Sequence, residues 1–93
     1  MVKAVWNGEI IAESNETIIV EGTHYFPVSS VAIASLRGTD HTSVCTWKGT
    51  ASYFTVYAGG SHNENAAWTY KTPSAKAEVI KNRIAFWKGV IVS

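Results

Sequence analysis

Cys45 is the one thiol in the chain, and it lies in Thr42-Ser43-Val44-Cys45-Thr46-Trp47-Lys48-Gly49, among hydroxyls, an indole and an amine. A cysteine nucleophile needs a base to form the thiolate and a polar, partly open setting. Thr46, Ser52 and Lys48 are close in sequence, whereas His24, His41 or His62 would reach it only through the fold. The same residue on a strand also reads as a small core side chain. Lys48 and Lys88 each precede a glycine at a turn, where a lysine is expected to be solvated. A metal site needs several spaced donors. His41 and Cys45 are four residues apart, which on a strand separates them by about 13 Å. No metal and no cofactor are therefore expected. Lys48-Gly49-Thr50 superficially resembles the end of a phosphate-binding loop, but that loop must open a helix, and here strands lie on both sides.

The aromatic residues carry the richer signal. Tyr25-Phe26, Trp47, Tyr53-Phe54, Tyr57, Trp68, Tyr70 and Phe86-Trp87 sit among polar neighbours. Such rings can fill a small core or wall a pocket and stack on a flat heterocycle, and both readings stay open.

The elements that must position these groups are strands. One Leu stands against ten Val, eight Ile and nine Thr in 93 residues, a balance that excludes a helical bundle. The expected fold is a mostly β domain over residues 1–93, a small antiparallel meander of hairpins with one or two short helical turns. Val2 to Trp6 and Glu9 to Glu13 flank Asn7-Gly8, a strong hairpin signal. A further strand is expected over 17–21, then a bend at Gly22-Thr23. Pro27 suits the start of a helical turn over Val28 to Val31. Residues 32–40 read as a loop with at most a short strand. A two-residue turn at Lys48-Gly49 would place Cys45 opposite Ser52, so that Cys45, Trp47, Ser52 and Phe54 share one face and Val44, Tyr53 and Tyr57 the other. Gly59-Gly60 turns the chain into 61–70. A short helix capped by Ser74 is expected up to Ile80, then a final hairpin around Lys88-Gly89. Trp6-Asn7-Gly8, Trp47-Lys48-Gly49 and Trp87-Lys88-Gly89 recur, but their flanks do not match, so they read as turn grammar and not as a repeat.

Composition bounds the partners. The formal net charge is +1 and basic and acidic residues are interspersed, leaving no electrostatic footprint for nucleic acid. Stretches free of charge are short and rich in Ser, Thr and Gly, so no membrane span is expected. One cysteine allows no internal disulfide, no export signal is read at the start, and a reducing cytoplasmic setting is expected.

Several ordered motifs together resemble a known family. Tyr25-Phe26-Pro27, Thr42 with Cys45-x-Trp47-Lys48-Gly49-x-Ala51-x-Tyr53, Ala66-Ala67-Trp68-x-Tyr70-x-x-Pro73, Ala85-Phe86 and the opening Val5 to Ser14 are similar to the bacterial domain-of-unknown-function 427 family. Thr46 stands where the family usually has proline. The resemblance implies a β-tent of antiparallel sheets, like the cereblon thalidomide-binding domain and methionine sulfoxide reductase B. Relatives of that fold hold zinc on two Cys-x-x-Cys pairs, which a single cysteine cannot supply. By analogy with the aromatic cage of cereblon-type relatives, Trp47, Tyr53, Trp68, Tyr70 and Phe86 become ligand-binding candidates, joined by Cys45 and Lys48 from the central hairpin. The expected function is binding of a small molecule in an aromatic-lined cleft. The alternatives are an enzyme using Cys45, the nucleotidyltransferase-like activity implied by a label sometimes given to the family, or a protein-interaction module. Paired carboxylates for metal-assisted transfer are absent from the pattern, Asp40 being the one Asp.

Overall fold

Short β-branched segments cut by turns give a mostly β chain. The computed structural model describes residues 1–93. β1 (Val2–Trp6) and β2 (Glu9–Ser14) pair across Asn7-Gly8, whose φ values of 51° and 77° are those the turn demands. β3 (Ile18–Val20) and β4 (Thr23–Tyr25) form a separate hairpin. β5 (Leu36–Cys45), β6 (Gly49–Ala58), β7 (Ser61–Tyr70) and β8 (Ile84–Phe86) make an antiparallel four-stranded sheet in chain order. β9 (Ile91–Val92) returns to the other side of β1, and beyond it Lys3 and Ser93 exchange backbone hydrogen bonds of 2.9 and 3.0 Å. No helix is long and apolar enough to cross a membrane.

Five local expectations change. The bend at Gly22-Thr23 is the second half of a tight hairpin turn at Glu21-Gly22, with φ of 52° and 78°. Residues 32–40 are not a loop: a 3-10 turn at Ile33–Ser35 runs straight into β5. β5 is an edge strand whose pairing breaks between Gly38 and Thr42, so it carries little apolar alternation to read. The segment Ala75–Ile80 is 3-10 with a non-helical Ala77. Ser74 does not cap it; its hydroxyl donates to the Trp47 carbonyl and its N–H to the Lys48 carbonyl. Lys88-Gly89 does turn the chain, but between sheets, because β8 pairs with β7 while β9 pairs with β1.

The fifth change moves the site. The central hairpin closes through three residues, Thr46-Trp47-Lys48, with Cys45 opposite Gly49 and Val44 opposite Thr50. Relative to a two-residue turn the register slips by an odd number, which exchanges the faces of one strand against the other. Cys45 therefore shares a face with Ala51 and Tyr53, and Phe54 points to the opposite side.

Both faces of β6 are used. On one, Phe54 and Val56 join Ala67, Ile84 and Phe86 against Ala4, Ile11 and Ala12 of the β1–β2 hairpin, with Phe26 at the centre. On the other, Ala51, Tyr70 and Ala85 pack with Tyr25, Ala77 and Ile80 beneath the β3–β4 hairpin, and Tyr53 and Trp68 lie at its margin. β7 bulges opposite Thr55, where Asn65 takes a left-handed φ of 56°.

Candidate functional site

The second face is where chemistry-bearing residues converge. Tyr53 on β6 lies directly opposite Trp68 on β7, with ring centroids 6.3 Å apart. Trp87, in the turn after β8, completes a three-ring cluster at 6.4 Å from Tyr53 and 6.1 Å from Trp68. His41, brought over by the β5 bulge, stands edge-on to Tyr53 at 4.6 Å, and the Ser43 and Tyr53 hydroxyls hydrogen-bond at 2.9 Å. Trp68 continues inward to Tyr25 at 6.3 Å, and Tyr25 to Tyr70 at 6.5 Å.

Asn65 fixes the outer end. Its carbonyl accepts the Trp87 indole N–H at 2.7 Å and its side-chain oxygen accepts the Thr39 hydroxyl at 2.6 Å. A bulge beside a site re-aims side chains, and here it ties the edge strand and Trp87 to one residue. The face is open. Trp87 is 45% exposed and the fold encloses no cavity, so the rings form a platform and not a walled cleft.

Lys48 overturns the expectation of a solvated turn lysine. It is only 8% exposed, its ammonium ion-pairs with Glu21 at the tip of the β3–β4 hairpin, and it lies 5.0 Å from the centroid of the Trp47 ring. Burial disfavours its charge, but the Glu21 carboxylate and the nearby Tyr25 and Tyr70 hydroxyls outweigh it, and the net shift is upward. The Lys48 hydrogen bond lowers Glu21 in turn. Burial raises Tyr25 and pushes Tyr70 up to about 12. Cys45 moves the other way: the backbone N–H groups of Trp47 and Lys48 hold its thiol below the ordinary value, and the Lys48 charge adds to them against burial.

Of the residues singled out from sequence, Cys45, Lys48, Tyr53, Trp68 and Tyr70 share this face, with Trp47 bordering Lys48. Phe86 does not. It is 6% exposed on the opposite side, edge-on to Phe26 at 5.6 Å, because strand alternation gives Ala85 to the platform side and Phe86 to the core. Glu21, Tyr25, His41 and Trp87 complete the arrangement without having been singled out as site residues. Glu21 and His41 arrive through a turn and a bulge that local sequence did not disclose.

A zinc held on two Cys-x-x-Cys pairs does not fit these residues. Cys45 is the single thiol, and no three His, Cys, Asp or Glu side chains converge on one point. The family model described as "Domain of unknown function (DUF427)" matches residues 1–92. A search of curated proteins finds no match.

Proposed function

The chain belongs to the DUF427 family, and from that premise we propose that it binds a small planar molecule on the face formed by Trp47, Tyr53, Trp68 and Trp87. The observation that carries this reading is the half-exposed ring cluster of Tyr53, Trp68 and Trp87 beside a buried lysine and buried phenols. Rings 6.1–6.4 Å apart already touch, so a compact cation has no space among them, while a flat ring can lie across them. Hydroxyls of Ser43 and Tyr53 and the imidazole of His41 border the platform and can orient a polar edge. We take residues 1–93 as one domain with the tent arrangement implied by its relatives, acting in a reducing compartment that leaves Cys45 free.

A screen of nucleosides, cyclic imides and methylated cations by melting temperature and tryptophan fluorescence tests the proposal. Nucleosides or imides are expected to raise the melting temperature and quench fluorescence, and methylated cations to do neither. Trp68→Ala is expected to weaken a flat ligand by about 1–3 kcal/mol, the usual worth of one stacked ring. Silence from every flat probe, or unchanged affinity in Trp68→Ala, removes the reading.

Cys45 supports a second reading, an enzyme with a thiolate nucleophile, because two backbone N–H groups and the Lys48 charge favour the ionised form. Alkylation by iodoacetamide is then expected to reach half its maximal rate below the pH of about 8.5 typical of a free thiol. A rate profile matching that of free cysteine removes this alternative.

A further inference from the structure

Beyond the platform, the same sheet face carries a second cluster. Phe54 and Val56 of β6 pack into the larger core, so Tyr53, Thr55 and Tyr57 alternate onto the other side. Thr55 pairs with Arg37 on β5, and Tyr57 pairs with His62 on β7. The Arg37 guanidinium lies 5.3 Å from the centroid of the Tyr57 ring, and the His62 imidazole stands beside that ring at 5.8 Å and 34°. Tyr57 is 39% exposed, so the cluster is open to water. It lies four residues along β6 from Tyr53, a span of about 13 Å.

The exposed rings of this face are matched with basic groups. Trp87 has the Lys88 ammonium at 5.4 Å, Tyr53 has His41 at 4.6 Å, and Tyr57 has both Arg37 and His62. The ion pairs of the chain are Lys3–Glu13, Lys48–Glu21 and Lys81–Glu78, which leaves Arg37 and Lys88 without a carboxylate. Lys88 donates instead to the Glu64 carbonyl at 3.2 Å. A guanidinium laid on a ring is held in place with its N–H fork free, the arrangement that suits an oxyanion.

We propose that this face takes a flat ring joined to a phosphate chain, the class represented by a nucleoside 5′-diphosphate. The ring lies on Tyr53, Trp68 and Trp87, and the phosphates accept from the Arg37 fork and the His62 imidazole N–H. Thr39 and Asn65, hydrogen-bonded to each other at 2.6 Å, stand between the two clusters beside Thr55 and can meet the polar link. A formal net charge of +1 lacks the basic surplus that a nucleic-acid strand demands, so the occupant is one small molecule. This deepens the platform reading and rests on it, because the same rings must hold the flat part.

Adenosine, ADP and pyrophosphate serve as metal-free probes, followed through the Trp68 and Trp87 indole N–H resonances and the His62 ring signals. ADP is expected to bind about tenfold tighter than adenosine, the worth of one charge-assisted contact, and to lose that advantage in 1 M salt. Arg37 is exposed, so Arg37→Gln should keep the native melting temperature. It is expected to bring ADP down to the affinity of adenosine and to leave adenosine unchanged. Trp68→Ala should weaken both. ADP no tighter than adenosine, or an ADP affinity indifferent to Arg37→Gln, overturns the phosphate site. If adenosine still shifts Trp68 and Trp87, the platform survives that failure. Pyrophosphate binding as tightly as ADP, with adenosine silent, overturns the platform and the two-part ligand with it.

Discussion

Replacing Phe26 by Ala is expected to cost about 3–5 kcal/mol of stability, the range for a large ring removed from a packed core. Phe26 is fully buried and meets Phe86 edge-on at 5.6 Å. Its backbone also bridges Ile84 in both directions, at 2.8 and 2.9 Å, so it links the segment after β4 to β8. The ring sits in the larger core, which joins the β1–β2 hairpin to the four-stranded sheet. A chain of this length has roughly 5–14 kcal/mol in total, so the change removes a large part of it. Urea unfolding should show the loss, with a melting temperature lower by roughly 15–30 °C. Phe26→Leu keeps most of the volume and should cost less than about 1.5 kcal/mol. Equal, small losses in both variants would mean that the core closes over the void and that Phe26 is not its centre.

Gly49→Ala is expected to strike fold and site together. Gly49 has φ of 117°, in the region that side chains avoid, and a Cβ there would meet the Thr72 carbonyl at 3.4 Å and the Pro73 Cα at 3.5 Å. Strain of this kind costs about 1–3 kcal/mol. The same residue closes the three-residue loop opposite Cys45, and the Ser74 N–H holds that loop through the Lys48 carbonyl at 3.0 Å. Any adjustment therefore moves the Trp47 and Lys48 N–H groups away from the Cys45 thiol. Alkylation of Cys45 near neutral pH should slow toward the rate of an ordinary thiol. Gly60→Ala is the control, since its Cβ meets nothing within 4 Å, and at φ of 76° it should cost about 1 kcal/mol without changing thiol reactivity. If both variants leave the thiol unaltered, the loop amides do not tune it.

How much was legible in the sequence followed the range of the forces involved. Asn7-Gly8 and Gly59-Gly60 declared their turns because both residues of each pair must hold positive φ, a local demand. The ring pair Tyr53 and Trp68 was within reach, since both lie in strand-like runs. The loop at Trp47 was not. Lys48-Gly49 looks like a two-residue turn, but the segment at 72–74 packs against Gly49 and bonds Lys48, and tertiary contact selected the longer loop. That choice put Cys45 on the same face as Tyr53 and sent Phe54 to the core. Lys88-Gly89 announced a turn correctly and its partners wrongly, because sheet membership is decided by strands far away in the chain. The burial of Lys48 had no local sign either. It depends on Glu21, 27 residues earlier, at a turn whose first residue is a Glu in a conformation that Glu seldom adopts.

The pairing of β1 with β9 has a consequence in time. Ala4, Ile11 and Ala12 are made first, yet Val56, Ala67, Ile84, Phe86 and Val90, which cover them, come from the later half of the chain. At translation speeds of about 5–20 residues per second, the opening hairpin waits on the order of ten seconds for its last strand. Until Ile91 and Val92 emerge, β1 has a vacant edge and an uncovered apolar side, a template for mispairing. Its outward charges, Lys3 and Glu13 paired at 3.6 Å, keep the waiting hairpin in water. Folding is therefore expected to finish only when β9 reaches β1, which makes this a slow, all-or-none closure despite the short turns between the intervening strands.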